Sequence, residues 1–288
     1  MKIRQEIVQT RGNPAIRLHV QVMGEGSPVI LLHGFPENAR AWRHQLPALA
    51  AAGYAAWAPN LRGYPPSSIS PRQRDYHLRH LVDDVAAVVS ASGHEQAVVA
   101  GHDWGGIIAY AFAQAHPDKL SKLIILNAPH MGIYQEKVWH TSQLFRSAYV
   151  GFFQLPFLPE RTLAAGDFSA VRRMFRCTSR RAAFSRADID AYVDGLRQPG
   201  ALKAALDYYR ANVRPGAMDL ARPARIPVPV QVIWGMRDPA LGAFLLDGME
   251  RFTPRLTIHR IADAGHWVQN EAPREVNGII LDFLGRSD

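Results

Sequence analysis

The sequence predicts an α/β fold, with a mostly parallel central sheet flanked by helices and an all-helical insertion after the sixth strand. Three observations carry this. Short apolar runs alternate with helix-period stripes up to about residue 130, the alternation stops after Pro129, and it resumes beyond Pro227. Residues 3–10 and 16–23 alternate apolar and polar with a rough period of two, as half-buried strands do. Residues 28–33, PVILLH, form a continuous apolar run that suits a strand buried on both faces, and residues 54–58 form another. Residues 39–52 between them have helical spacing. A longer helix is predicted over 77–90, where Leu78, Leu81, Val82, Val85, Val88 and Val89 share one stripe. Strand 96–100, helix 107–115 and strand 120–127 follow. From 131 to about 215 the segments are helix-like, and Pro156, Pro159 and Pro199 cut them short. Strand 229–234, helix 242–252, strand 256–261 and helix 273–284 complete the chain. The expected organisation is a core over 1–130, a helical insertion over 131–215 and the rest of the core over 216–288.

Composition narrows the function classes. With 48% hydrophobic and 20% charged residues over a length of 288, the chain can bury a large core, which excludes disorder as its main state. Cys177 is the only cysteine, so neither an internal disulfide nor a cysteine-based zinc site is expected. Residues 1–14 contain no apolar stretch of the signal-peptide kind, and residues 48–58 are too short and too broken to span a bilayer. A cytoplasmic setting is the expectation. The net charge of +8 invites a nucleic-acid partner. Much of the excess is arginine inside the insertion, at 172, 173, 176, 180, 181 and 186; no basic stripe interleaved with aromatics and no helix-turn-helix or zinc-finger pattern is read from the sequence. A solvated cationic face is the reading preferred, with steering of anionic substrates as the alternative. No nucleic-acid partner, metal or cofactor is expected, and the chain is read as a monomer or a homodimer.

The sharpest local feature is Gly101-His-Asp-Trp-Gly-Gly106, placed between an apolar run and an amphipathic helix. This is the strand–turn–helix setting of a nucleophile elbow, in which glycines permit a tight turn that presents the central side chain. Here that side chain is Asp103, and a turn whose aspartate merely caps the helix is the competing reading. Two further motifs weigh against it. Trp234-Gly-Met-Arg-Asp238 and Ala264-Gly-His266-Trp267 each follow a predicted strand, giving the chain order nucleophile, acid, histidine at the carboxyl ends of strands. His33-Gly-Phe-Pro36 follows the strand at 28–33, where a loop can supply an oxyanion-hole amide. The donors expected are the N–H groups of Phe35 and Trp104, and Pro36 is expected to follow a cis bond.

These four motifs resemble the Asp-nucleophile epoxide hydrolase branch of the α/β-hydrolase superfamily. The resemblance extends over essentially the whole chain, with the helical insertion as the family's cap. It implies a hydrolase that turns a small hydrophobic epoxide and water into a vicinal diol. Asp103 would be the nucleophile, Asp238 the orienting acid and His266 the base. The family's two cap tyrosines match Tyr149, in YVGFFQ, and Tyr209, in DYYRAN. Tyr208 and Tyr209 are neighbours on a helix and point about 100° apart, so one of them should face the pocket. Pocket walls are expected at Phe35, Trp104, Phe152 and Trp267, with plain packing as the alternative for the apolar residues of the insertion.

Aspartate suits this chemistry because a serine attacking an alkyl carbon would yield an ether, which water does not readily cleave. A carboxylate yields an ester, which activated water can hydrolyse. An epoxide opens to a basic alkoxide that needs a proton, and a tyrosine, with an ordinary pKa of about 10, can supply one at neutral pH. Dehalogenases are the main rival, since a halide leaves without a proton. Haloalkane dehalogenases typically carry Asn where Phe35 stands, and fluoroacetate dehalogenases carry Arg where Trp104 stands. A non-catalytic binding protein on the same fold ranks lower, because such chains usually lose a nucleophile or base.

Overall fold

A computed structural model of the protein describes residues 2–10, 15–180, 183–213 and 225–286. Among them are eight strands: β1 (Arg4–Gln9), β2 (Arg17–Met23), β3 (Pro28–Leu32), β4 (Ala55–Pro59), β5 (Ala97–His102), β6 (Leu120–Leu126), β7 (Val230–Gly235) and β8 (Leu256–Ile261). They form one sheet in the order β1-β2-β4-β3-β5-β6-β7-β8. β1, β2 and β4 pair antiparallel, and every pairing from β4–β3 to β7–β8 is parallel.

The continuous apolar runs are explained by burial on both sides. In β3, Ile30 and Leu32 face one layer with Val82 and Val85 of α2 (Leu78–Ala91) and Ile108 and Phe112 of α3 (Trp104–Ala115). Val29 and Leu31 face the other, with Leu46 and Leu49 of α1 (Gln45–Ala51). The reverse side of the sheet is completed by Val276 and Ile280 of a C-terminal helix, Pro273–Leu284. A strand between two helical layers has no polar face to offer, so its alternation disappears from the sequence.

Two expected helices are corrected. Residues 39–52 form a 3-10 turn, Ala39–Trp42, and then α1; the Asn38 side chain caps the turn by accepting from the Arg40 amide at 3.0 Å. Residues 242–252 form two 3-10 turns, Ala243–Leu246 and Met249–Arg251, because Gly248 between them sits at φ 93°, which a helix cannot contain.

Between β6 and β7 the described residues contain helices and no strand: α4 (Met131–Lys137), α5 (Thr141–Arg146), α6 (Ala148–Phe153), α7 (Leu158–Thr178), α8 (Arg186–Arg197) and α9 (Ala201–Asn212). The expected domain boundary at 215/216 lies outside the described residues. α7 is interrupted at residues 165–168, where Gly166, Asp167 and Phe168 take left-handed backbone angles. α8 opens with a capping box between Ser185 and Asp188. Several arginines of the insertion are ion-paired inside it: Arg172 with Asp167 and Asp190, Arg197 with Asp167 and Asp194, and Arg210 with Glu160. The short α10 (Val268–Glu271) leads into α11 (Pro273–Leu284). No helix among the described residues is long and apolar enough to cross a membrane.

α9 is fastened to the core at both sides of Tyr209. The Tyr208 hydroxyl donates to the Arg62 carbonyl at 2.7 Å, and Asn212 accepts from the Leu78 amide and donates to the Tyr76 carbonyl, both at 2.8 Å. Arg62 is itself held by a buried two-pronged pair with Asp84, at 2.8 and 2.7 Å.

β5 meets α3 with no room for side chains. A Cβ at Gly101 would overlap the Gly105 carbonyl, and one at Gly105 would overlap the carbonyl of Leu32 on the next strand. Gly105→Ala is therefore expected to destabilise the protein by about 2–3 kcal/mol, because backbone rather than a flexible side chain must move. Urea unfolding of the variant measures this, and an unchanged midpoint would contradict the packing described.

Candidate active site

The residue between β5 and α3 is Asp103, with φ 51° and ψ −120°. A positive φ is costly for a residue with a Cβ, by about 1–3 kcal/mol, and marks a turn over-determined by its surroundings. Its carbonyl accepts from the Gly106 and Ile107 amides at 2.9 and 3.1 Å, which begins α3, and its amide donates to Leu126 O on β6 at 3.3 Å. The backbone of Asp103 thus starts the helix, while its side chain makes no helix cap. The carboxylate is directed elsewhere: Oδ1 accepts from the Phe35 N–H at 2.9 Å, and Oδ2 lies 3.6 Å from His266 Nε2. Trp104 opens α3, so its N–H belongs to the first turn, where amides have no intrahelical acceptor. The Phe35–Pro36 bond is cis.

Asp238 and His266 follow β7 and β8. His266 Nδ1 donates to Asp238 Oδ2 at 2.8 Å. The same oxygen accepts from Asn127 Nδ2 at 2.7 Å, while Oδ1 accepts from the Ala240 and Leu241 amides at 2.7 and 2.9 Å. Burial opposes the Asp238 charge, but His266 and these donors outweigh it and hold the carboxyl below its ordinary range. Burial likewise disfavours the His266 cation, yet the carboxylates of Asp238 and Asp103 prevail and push its pKa up to about 9.

The two tyrosines reach this centre from the insertion. Tyr209, on α9, packs edge-on against Trp104 and Phe35, with ring centroids 5.1 and 5.3 Å away. Tyr149, on α6, stands 6.0 Å from Tyr209 at an interplanar angle of 81°. Burial, reinforced by the Asp103 charge and by nearby phenols, raises both hydroxyls well above the ordinary tyrosine value. Tyr208 turns the other way, toward Arg62.

The other aromatic side chains pack around this centre from both parts of the chain. Phe153, rather than Phe152, touches Phe35, Tyr149 and Tyr209, at 5.4, 5.5 and 5.1 Å. Phe152 is partly buried beside Phe153. Trp267 lies behind His266, 4.8 Å from its ring, and packs on Phe175 and Phe184 of the insertion while its Nε1 donates to Thr178 Oγ1 at 2.9 Å. It stands against the ring of His266 and joins that histidine to the insertion.

The family described as the alpha/beta hydrolase fold matches residues 27–273. The chain is 36% identical to the AB hydrolase superfamily protein YfhM of Bacillus subtilis, over 98% of both chains. It is 35% identical to epoxide hydrolase 3 of Xenopus tropicalis, over 93% of this chain and 75% of that one. Among solved structures, an epoxide hydrolase of Bacillus megaterium in complex with an inhibitor superposes with a TM-score of 0.87 at 28% identity, over 98% of this chain and 100% of that one. The chain belongs to the epoxide hydrolase family of α/β hydrolases. Within this family member, the sequence motifs left several supporting residues unnoticed. Glu37, fully buried, accepts from His102 Nδ1 at 2.8 Å, and His102 Nε2 meets the His266 carbonyl at 2.8 Å. Burial works against the Glu37 charge, but His102 holds the carboxyl below its ordinary range. The signal lay inside two motifs already noted: Glu37 directly follows His33-Gly-Phe-Pro36, and His102 precedes Asp103. Asn127, at φ 39°, ties Asp238 to the end of β7 through Gly235, whose amide donates to Asn127 Oδ1 at 2.8 Å. It ended an apolar run and carried no motif.

Because Asp103 helps to raise His266, Asp103→Asn should lower the histidine pKa from about 9. A side-chain NMR titration of His266 in both proteins checks this, and an identical midpoint would show that the two groups are not coupled.

Proposed function

We propose that the protein hydrolyses a small hydrophobic epoxide to a vicinal diol through a covalent ester on Asp103. The observation that carries the reading is the pairing of two protonated phenols, Tyr149 and Tyr209, with a carboxylate that has one oxygen uncommitted. A halide would leave without a proton, so a dehalogenase has no use for that pair. The names of the relatives and solved structures agree with the same reaction. The substrate side of the site is aromatic, with Phe35, Trp104 and Phe153 around the tyrosines, which suits an apolar epoxide carried under the helical cap.

In the proposed first step, Oδ2 of Asp103 attacks one ring carbon, and the carbon–oxygen bond on the far side breaks. The alkoxide takes a proton from the tyrosine pair. Oδ1 stays on the Phe35 amide and becomes the carbonyl oxygen of the ester. Esterification removes one of the three carboxylate charges, Asp238, Asp103 and Glu37, that hold a proton on His266. The histidine then releases that proton, which restores the phenol, and becomes a base only when there is an ester to cleave.

In the second step His266, oriented by Asp238, takes a proton from water as the water attacks the Asp103 carbonyl carbon. The developing oxyanion is held by the amides of Phe35 and Trp104, each donor being worth about 3 kcal/mol in sites of this kind. Collapse expels the diol oxygen, which receives the proton from His266, and the carboxylate of Asp103 returns. The second proton of the attacking water goes back to the histidine, so the cycle closes.

His266→Ala should leave ester formation nearly intact and slow its hydrolysis by several orders of magnitude. Mass spectrometry of the variant mixed with a terminal aryl epoxide should find the protein heavier by one substrate, with the adduct on Asp103. An unmodified protein, from a variant that still binds the epoxide, would overturn the covalent route.

A further inference from the structure

Helix α5 of the insertion is built the wrong way round for ordinary packing. Its apolar Leu144 and Phe145 are 47% and 75% exposed, while Gln143 is fully buried. Gln143 and Arg146, three residues apart, share one face of the helix; Gln143 is buried, whereas Arg146 stays exposed and reaches in with its guanidinium. Both end on the loop that carries Asp238. The Gln143 side chain donates to the Ala240 carbonyl at 2.9 Å and accepts from the Gly242 amide at 3.1 Å. Its second amide hydrogen goes to Ser147 Oγ at 2.9 Å, so the group is fully used. Arg146 Nη1 donates to the carbonyl of Asp238 itself at 2.7 Å.

The contacts have a specific location. The Ala240 and Leu241 amides hold the Asp238 carboxylate, and Gln143 grips the same short segment by the Ala240 carbonyl and the next amide along. The carboxylate depends on that segment for its aim at His266 Nδ1, and the segment depends on a helix belonging to another part of the chain. We propose that Gln143 and Arg146 are positioning residues: they hold the 238–242 loop so that Asp238 orients His266 for hydrolysis of the ester. The inference rests on the roles proposed above for Asp238 and His266. It makes ester hydrolysis, and not ester formation, the step that depends on α5 being docked, because Asp103 is held by Phe35 and β6 and not by this loop.

The test is single-turnover kinetics on the full-length protein with the aryl epoxide, following formation and breakdown of the adduct separately. Gln143→Ala should slow breakdown by about 10-fold or more, as loss of alignment of a reacting group does, and change formation by less than about 3-fold. Adduct should therefore accumulate during turnover. The pH dependence of breakdown should also move. His266 is faced by the carboxylates of Asp238, Asp103, Glu37 and Glu271 and by the His102 and Trp267 rings, and of these only Asp238 sits on the gripped loop. Loosening it should shift the acid limb to lower pH. Arg146→Ala, a change at an accessible side chain, should show the same split with smaller size, and Arg146→Lys should restore part of the breakdown rate; this pair decides the matter if Gln143→Ala does not fold. Breakdown and its pH limb at wild-type values in the variants, or formation and breakdown reduced equally, would overturn the proposal. Adduct in His266→Ala together with either of those results would overturn this inference alone, whereas no adduct in His266→Ala would overturn the covalent route beneath it as well.

Discussion

The backbone of Asp103 is held at φ 51°, and the remaining features of the site depend on that turn. A residue with a Cβ stays in this region only when its neighbours allow nothing else. Gly101 and Gly105 let β5 and α3 close on each other and on the Leu32 carbonyl; Gly34 gives space to the carboxylate itself, since a Cβ there would overlap Asp103. The Asp103 amide is tied to β6 and its carbonyl to the first turn of α3. The side chain is left as the one part of the residue free to face the insertion, with an amide from the next strand's loop on one oxygen.

Three carboxylates lie close together, and their surroundings give them different work. Asp238 accepts four hydrogen bonds, from His266, Asn127, Ala240 and Leu241, and has no oxygen left for chemistry. Glu37 is fully buried and committed to His102, with Gly34 and Gln269 at its oxygens at 3.3 Å. Asp103 has one oxygen engaged and one at 3.6 Å from the histidine, longer than a hydrogen bond. In the proposed reaction this difference selects the nucleophile. The histidine among them carries its proton until one of these charges is consumed, which would make the second step conditional on the first.

Much of this was legible in the sequence because the core obeys short-range rules. Apolar runs placed the buried strands within a residue or two, and glycines on both sides of Asp103 pointed to the turn. The adjacent tyrosines on α9 had to diverge, and Tyr208 does turn to Arg62. What could not be read was decided by partners distant in the chain. Phe153 reaches Phe35 and Tyr209, residues of the β3 loop and of α9 that lie far from it in the chain. Trp267 packs on Phe175, Phe184 and Thr178, residues of the insertion that no local pattern connects to it. Residues 242–252 had helical spacing, and a left-handed Gly248 overrode it. Gln143 belongs to no motif, and its burial follows from where the 238–242 loop lies.

The covalent route fixes which oxygen the first product carries. If water attacks the ester carbonyl of Asp103, a single turnover with enzyme in excess in ¹⁸O-water leaves the label in the Asp103 carboxylate and releases diol whose new oxygen came unlabelled from the protein. Mass spectrometry of diol and of the peptide containing Asp103 reads both. Label in the first-turnover diol, with none in the peptide, would mean that water opened the epoxide directly and that Asp103 never formed the bond assigned to it.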